Sequence, residues 1–241
     1  MRVAVVGAHG QLGAAVVQEF ATEHEVLPLG HADLDVTSDR DVAAVMGRLR
    51  PEAIVNCAAF NDVDGAEDRP VDALNLNAFA VRALARAAAS CDAVLVHYSS
   101  NFVFDGLASA PYVEEDRPNP RSVYAASKLL GEWFAADAAR AYVLRVASLF
   151  GRAPGARPAK GSVAAILNAL TSGAKPRVFE DLTVSPTFVI DSASATRQLV
   201  EVQAPTGLYH CVNSGHCTWL EFACELARQM GHNAHRLSVE W

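Results

Sequence analysis

Val3-Ala4-Val5-Val6-Gly7-Ala8-His9-Gly10-Gln11-Leu12-Gly13 opens the chain and decides how the rest is read. Its small and branched apolar residues read as a buried strand. Gly7, Gly10 and Gly13 then make a Gly-x-x-Gly-x-x-Gly turn, and the spacing from Gln11 onward is helical. Such a turn lets a pyrophosphate approach backbone N–H groups at a helix N-terminus. The glycine spacing alone is a weak signal. Its place after a strand and before a helix is what strengthens it.

Beyond this turn, short apolar runs alternate with longer amphipathic ones. Strands are predicted at Arg2–Val6, Glu25–Leu27, Ala53–Asn56, Ala93–Tyr98 and Ala141–Ala147. Helices are predicted at Gln11–Ala21, Asp39–Arg50, Val71–Ser90 and Ser122–Ala138. This alternation gives an α/β fold, a doubly wound parallel sheet with helices on both faces. The first three strands are nearly continuous apolar runs, as strands covered on both faces should be.

After Gly151 the texture changes. Arg152–Gly161, rich in Gly and Pro, reads as a mobile loop. A helix (Ser162–Ser172), a strand (Arg177–Phe179), a helix (Asp191–Val202), a strand (Gly207–Val212) and a helix (Thr218–Met230) are predicted to follow. Residues 1–150 are therefore expected to form a dinucleotide-binding domain. Residues 151–241 are expected to form a smaller substrate-binding region interleaved with it.

The 241 residues carry a net charge of −7 and no basic run, which argues against a nucleic-acid partner. No apolar stretch approaches the length of a membrane span, and no signal-peptide pattern opens the chain, so a cytoplasmic address is expected. The five cysteines are spread through apolar segments and are expected to be reduced and mostly buried. His210-Cys211 and His216-Cys217 lack the tight spacing of a zinc knuckle, so no metal is expected.

The chemistry is expected at the carboxyl ends of the strands, where such sheets bind ligands. The second strand ends at Leu29-Gly30-His31, without an acidic residue for a ribose 2′-OH or an arginine for a 2′-phosphate. NADH and NADPH therefore both remain open, with discrimination of roughly tenfold or less. Asp35 reads equally as an acceptor for the adenine amino group or as part of the cap of the helix near Asp39. Asn56-Cys57-Ala58-Ala59 ends the third strand in small residues that leave room for a flat cofactor. Ser99-Ser100-Asn101 follows the fourth, placing a hydroxyl where a substrate oxygen could be held. Tyr124 and Lys128 stand i,i+4 on one helix face. An ammonium beside a phenol favours the phenolate and lowers its pKa, which suits proton transfer coupled to hydride transfer.

Taken together, these residues resemble the extended short-chain dehydrogenase/reductases, and within them the dTDP-4-dehydrorhamnose reductase family. The resemblance runs from residue 1 to about residue 230. It is carried by Gly7–Gly13, Asp33-Leu34-Asp35-Val36-Thr37, Pro51–Ala59, Val63–Glu67, Ser99–Gly106, Tyr124–Glu132, Ser185-Pro186-Thr187 and Gly207–His210. It implies a Rossmann-like sheet and a catalytic triad of Ser100, Tyr124 and Lys128. It implies cofactor contacts from Gly7, His9, Gly10, Gln11, Leu12, Asp35, Val36, Ala58, Ala59 and Phe60, as well as from Tyr124 and Lys128. Ser100 and Asn101 would touch the substrate. The implied reaction is NADPH- or NADH-dependent reduction of the 4-keto group of a nucleotide-linked 6-deoxyhexose.

The chain departs from the family pattern at four places. Ser100 stands for the usual Thr, Asn101 for Asp, Phe102 for Tyr, and Ser148 for a tryptophan. The family's closing Arg-Pro segment has no counterpart before Trp241, so either the chain is trimmed there or its substrate differs. Two other readings share the fold. One is a nucleotide-sugar epimerase or dehydratase. The other is a cofactor-binding regulatory subunit resembling that of methionine adenosyltransferase. The partner expected is a nucleotide sugar, and a homodimer is left open.

Overall fold

The structure is a computed structural model that describes residues 1–158, 161–231 and 238–240. The elements are, in order, β1 (Arg2–Val6), α1 (Gln11–Phe20), β2 (Glu25–Leu29), α2 (Asp39–Leu49), β3 (Ala53–Asn56), α3 (Gly65–Asp68), α4 (Pro70–Leu74), a π-helical turn (Asn75–Phe79) and α5 (Ala80–Cys91). There follow β4 (Val94–Ser100), a 3₁₀ turn (Asn101–Val103), α6 (Val123–Ala136), β5 (Ala141–Val146), β6 (Leu149–Phe150) and α7 (Ser162–Ser172). The chain continues through β7 (Arg177–Phe179), β8 (Thr183–Val184), β9 (Thr187–Phe188), α8 (Val189–Glu201), β10 (Gly207–His210), β11 (Cys217–Thr218), α9 (Trp219–Gln229) and β12 (Ser238–Glu240).

Six strands form one sheet in the order β10-β5-β4-β3-β1-β2, and every pair in it is parallel. The chain starts in the middle, steps out to β2, then crosses to β3 on the other side of β1. That reversal opens a crevice at the carboxyl ends of β1 and β3, the place where such sheets take nucleotides. Alternate residues of each strand feed opposite cores. Ala4, Val6, Ile54, Leu95 and Val143 pack with Val42, Met46 and Leu84 of α2 and α5. Val3, Val5, Val55, Val96 and Leu144 pack with Val16, Phe20, Val189 and Ala193 of α1 and α8. Ile54 and Leu95 are fully buried, and such side chains stabilise the fold by about 1.5–3 kcal/mol each.

The doubly wound parallel sheet expected from the alternation is what the structure holds. Several boundaries differ. Strand β2 runs two residues past the expected Leu27, through Pro28. It is an edge strand, so the missing proline N–H costs no ladder bond on a second side. Strand β4 extends to Ser100 and carries both serines in extended backbone. The single helix expected over Val71–Ser90 is instead α4, the π turn and α5. The five cysteines are free but half-buried, not mostly buried.

Strand β10, from the second half, joins β5 at the sheet edge, and α8 packs on α1. A separate small core holds Val163, Ile166, Leu170, Val178, Val184, Trp219 and Ala223. Two- and three-residue strands tie this part together (β6 with β9, β8 with β11, β7 with β12), and of these the sequence pattern shows only β7. Ala159 and Lys160 of the expected loop, and Trp241, lie outside the described residues. Among the described residues no helix is long and apolar enough to cross a membrane, and no three His, Cys, Asp or Glu side chains gather as a metal site.

Candidate active site

The site begins at the glycine turn. Gly7 leaves β1 with φ +76°, a conformation that L side chains rarely adopt, and a Cβ there would lie 2.8 Å from the Ala58 nitrogen. Gly13 permits a different closeness: its Cβ would meet the Gly7 carbonyl oxygen at 2.2 Å, so α1 can seat only on a glycine. Gly10 caps α1 in extended backbone, with no side chain bonded to the first-turn amides and no acidic residue in that turn. Uncapped amides beside a backbone free of side chains fit a pyrophosphate.

Neighbouring predicted residues converge here. The exposed His9 presents its carbonyl to the Arg157 nitrogen (3.0 Å). Gln11 Nε2 donates to the Gly151 carbonyl oxygen (2.7 Å), holding the loop after β6 against the turn. Leu12 is buried in the core behind it. Asp35 is exposed and Val36 is buried. The Asp35 Oδ1 accepts from the Thr37 nitrogen (3.0 Å) and hydroxyl (2.7 Å), which hold its pKa below the ordinary value. The helix cap is made by another residue, Ser38, whose hydroxyl accepts from the Asp41 nitrogen (3.2 Å). Asp35 therefore shapes its own turn and does not cap α2.

At the end of β3, Ala58 donates its N–H to Asn56 Oδ1 (3.1 Å). The segment Ala58-Ala59-Phe60 is half-buried, with the Arg69 guanidinium 4.7 Å above the Phe60 ring. Phe60 is held by a residue the sequence reading missed. Asn77, fully buried in the π turn, accepts from the Phe60 N–H (2.8 Å) and donates to its carbonyl oxygen (3.1 Å) and to the Ser127 hydroxyl (2.9 Å). The π turn is what aims this amide, a common use of that geometry. Gly131 of α6 lies against the Asn77 carbonyl, where a Cβ would come within 2.2 Å. The hint in the sequence is that Asn75 and Asn77 are the polar residues of a helical stretch otherwise apolar from Ala73 to Val81.

Ser100, Tyr124 and Lys128 are all buried, at 6%, 7% and 3% exposure, which keeps solvent from the groups that would move protons. Ser122 caps α6, its hydroxyl accepting from the Ala125 N–H (3.1 Å), and so sets where Tyr124 and Lys128 fall. Phe102 packs edge-on against the Tyr124 ring, with centroids 5.7 Å apart. Ser100 Oγ accepts from the Phe102 N–H (3.2 Å) and lies 3.4 Å from Asn101 Oδ1.

The electrostatics differ from the expectation in one respect. Burial raises the Tyr124 pKa, and the Ser100 hydroxyl partly opposes that rise. Lys128 points its Nζ at the Tyr98 carbonyl oxygen (2.6 Å) and is not among the groups acting on the phenol. The physical reason is that the low-dielectric surroundings outweigh a cation already oriented elsewhere. Burial also pulls Lys128 down to about 8, against the pull of Glu132. His97, buried beneath, is held well below its ordinary value by burial and by Lys128, and so is neutral. A protonated Lys128 is thus a property of pH below about 8. The expected pH–rate profile has kcat/KM falling as pH rises through that value. A profile flat up to about pH 10, the range of an unperturbed lysine, would remove Lys128 ionisation from the reaction.

Ser148 lies at the junction of β5 and β6 with φ +44°. The other left-handed non-glycine residues, Arg50, Asp92 and Gln203, lie at helix C-termini, where that conformation is ordinary. Ser148 is not a cap. Its carbonyl instead accepts from the Thr187 N–H (3.3 Å), joining the sheet to the Ser185-Pro186-Thr187 segment. On the other flank, Asp105 accepts from Tyr112 Oη (2.6 Å), Asn119 Nδ2 (2.9 Å) and the Leu107 nitrogen (3.0 Å), which fold the long loop after β4.

Comparison with known proteins gives a consistent picture. The family described as RmlD substrate binding domain matches residues 1–240. A dTDP-4-dehydrorhamnose reductase of Sinorhizobium fredii is 34% identical over 230 residues, covering 92% of this chain and 76% of that protein. A probable dTDP-4,6-dihydroxy-2-methyloxan-3-one 4-ketoreductase of Streptomyces antibioticus is 35% identical, covering 98% of this chain and 80% of that protein. The crystal structure of a dTDP-4-dehydrorhamnose reductase from Bacillus anthracis in complex with NADP superposes with a TM-score of 0.90 at 30% identity, covering 99% of this chain and 82% of that one.

Proposed function

The chain belongs to the RmlD substrate binding domain family, and from that premise we propose that it is an NAD(P)H-dependent reductase of the 4-keto group of a nucleotide-linked 6-deoxyhexose. The observation that carries this reading is the joint burial of Ser100, Tyr124 and Lys128 at the carboxyl edge of a sheet whose first turn is built for a pyrophosphate. Gly7, Gly10, Gln11 and Leu12 would hold the pyrophosphate end of the cofactor, with His9 touching the cofactor from the same turn. Asp35 and Val36 would flank its adenine. Ala58, Ala59 and Phe60 would line the path toward the nicotinamide, with Asn77 fixing Phe60 in place. When bound, the reduced nicotinamide supplies the hydride to the carbonyl carbon.

The protein's part is positioning and proton supply. A raised Tyr124 pKa keeps the phenol protonated at neutral pH, which is the form a proton donor needs. Tyr124 Oη gives that proton to the carbonyl oxygen as the C–H bond forms, so the product is an alcohol. Ser100 Oγ holds the same oxygen by a hydrogen bond, with Asn101 beside it toward the sugar. Lys128 uses one donor on the Tyr98 carbonyl and has two left for the nicotinamide ribose. The region after Gly151, with the Asp105 loop, would close over the sugar. The reaction would take place in the cytoplasm.

A dehydratase needs a further acid–base carboxyl. Glu132, one turn beyond Lys128, is paired with Arg145 and Ser99 and is not free for that role. That observation favours the reductase over a dehydratase of this fold. The purified protein should consume NADPH or NADH only when a dTDP-4-keto-6-deoxyhexose is added, with a 6-deoxyhexose nucleotide as product. Tight NADPH binding without turnover of any keto-sugar nucleotide would instead support a regulatory cofactor-binding role.

A further inference from the structure

In dinucleotide folds the tip of the second strand reads the adenosine 2′ position. Here that tip is Gly30, one residue past β2. Its φ is not left-handed, so glycine is present for space and not for conformation. A Cβ on residue 30 would lie 2.6 Å from His9 Cδ2 and 3.0 Å from His9 Nε2. The imidazole therefore occupies the place where a side chain at the strand tip would start. An acidic group is close, but it is engaged: Asp33 Oδ2 accepts from the Gly30 N–H (2.9 Å), closing the turn. The exposed His31 follows, near enough to act on Asp35 electrostatically. On the other side, the Arg157 backbone N–H donates to the His9 carbonyl oxygen (3.0 Å), which ties the exposed Arg157 to the same turn.

We propose that His9, seated over Gly30, is the residue that recognises the 2′-phosphate of NADPH, with the exposed His31 and Arg157 as further donors on the adjoining segments. The proposal rests on the dinucleotide reading above and deepens it. A phosphate wants N–H donors, and the structure sets the His9 imidazole against the strand tip. A bare ribose 2′-OH is best read by a free carboxylate acceptor, and Asp33 already caps the turn. The glycine turn thus supplies both the pyrophosphate seat and, through the residue before its second glycine, the specificity element absent from β2 itself.

Isothermal titration with NADP⁺ and NAD⁺ tests this without reference to turnover. The parent protein should bind NADP⁺ about tenfold tighter than NAD⁺, a difference of about 1.4 kcal/mol. His9→Ala should weaken NADP⁺ about fivefold to tenfold and leave NAD⁺ within about twofold. Gly30→Ala keeps the imidazole but must push it aside, and should show the same selective loss. If His9→Ala and Gly30→Ala change both cofactors equally, or neither, the assignment of His9 fails while dinucleotide binding stands. Tighter binding of NAD⁺ by the parent, lost in Asp33→Asn, would give the 2′ position to Asp33 instead. A parent protein that binds neither cofactor would overturn the dinucleotide reading and this proposal with it.

Discussion

Tyr124→Phe is expected to bind cofactor normally and to reduce substrate about a hundredfold or more slowly. The substitution keeps the ring, and the ring is what the fold uses. It packs with Ala66 and Ala73 in a small cluster and meets Phe102 edge-on. The hydroxyl is the only part removed, and it is the only proposed proton donor to the carbonyl oxygen. Single-turnover hydride transfer with a keto-sugar nucleotide measures the effect directly. A variant that reduces at the parental rate would make Tyr124 a packing residue. Ser100→Ala should cost less, because the serine orients an oxygen that the tyrosine protonates. Part of its cost will be structural, since Ser100 Oγ also caps the 3₁₀ turn through the Phe102 N–H.

Glu132→Gln is expected to lower stability by about 3–5 kcal/mol. Arg145 Nε and Nη2 donate to the two carboxylate oxygens of Glu132 at 2.9 and 2.8 Å, and both side chains are 5% exposed. Ser99 Oγ donates to the same carboxylate at 2.5 Å, and the guanidinium rests 4.8 Å from the Phe104 ring. Helix α6, strands β4 and β5 and the loop after β4 therefore meet on one buried pair. The amide leaves a buried guanidinium without its counter-charge, on a side chain whose Nη1 already lacks a partner. Urea unfolding at unchanged m-value reads the loss. The double change Glu132→Leu with Arg145→Met should cost much less, because neither side chain then carries a charge to compensate. A loss under about 1 kcal/mol for Glu132→Gln, the range of exposed pairs, would mean the pair is solvated in solution. The carboxylate also acts on Lys128, opposing the effect of burial. Removing it should move the alkaline limb of the pH–rate profile to lower pH.

Legibility followed distance along the chain. Gly7, Gly10 and Gly13 lie within one turn, and Tyr124 and Lys128 within one helical step, so local spacing is enough to read them. Asn101 and Ser148 are equally readable as residue types. What Ser148 does is not: its left-handed backbone and its bond to Thr187 depend on where a strand 39 residues later is placed. The direction in which burial moves the Tyr124 pKa lies beyond local spacing for a related reason. Helical spacing puts Lys128 beside Tyr124, but the rotamer that sends Nζ to the Tyr98 carbonyl is set by β4.

The sequence by itself determined the α/β alternation, the nucleotide turn, the strand-end serine and the Tyr–Lys face. Each is a pattern of period two, of period 3.6, or of glycines in one turn, and such patterns survive without a partner. Only the tertiary structure decided the rest. Asn77 reaches Phe60 across 17 residues and Ser127 across 50. Arg145 finds Glu132 from a neighbouring strand. His9 fills the space that Gly30 leaves open. These are pairings of polar groups brought together by packing the sheet between its helices. A polar residue's partner is fixed by that packing, because a buried donor must be satisfied by whatever acceptor the fold delivers to it.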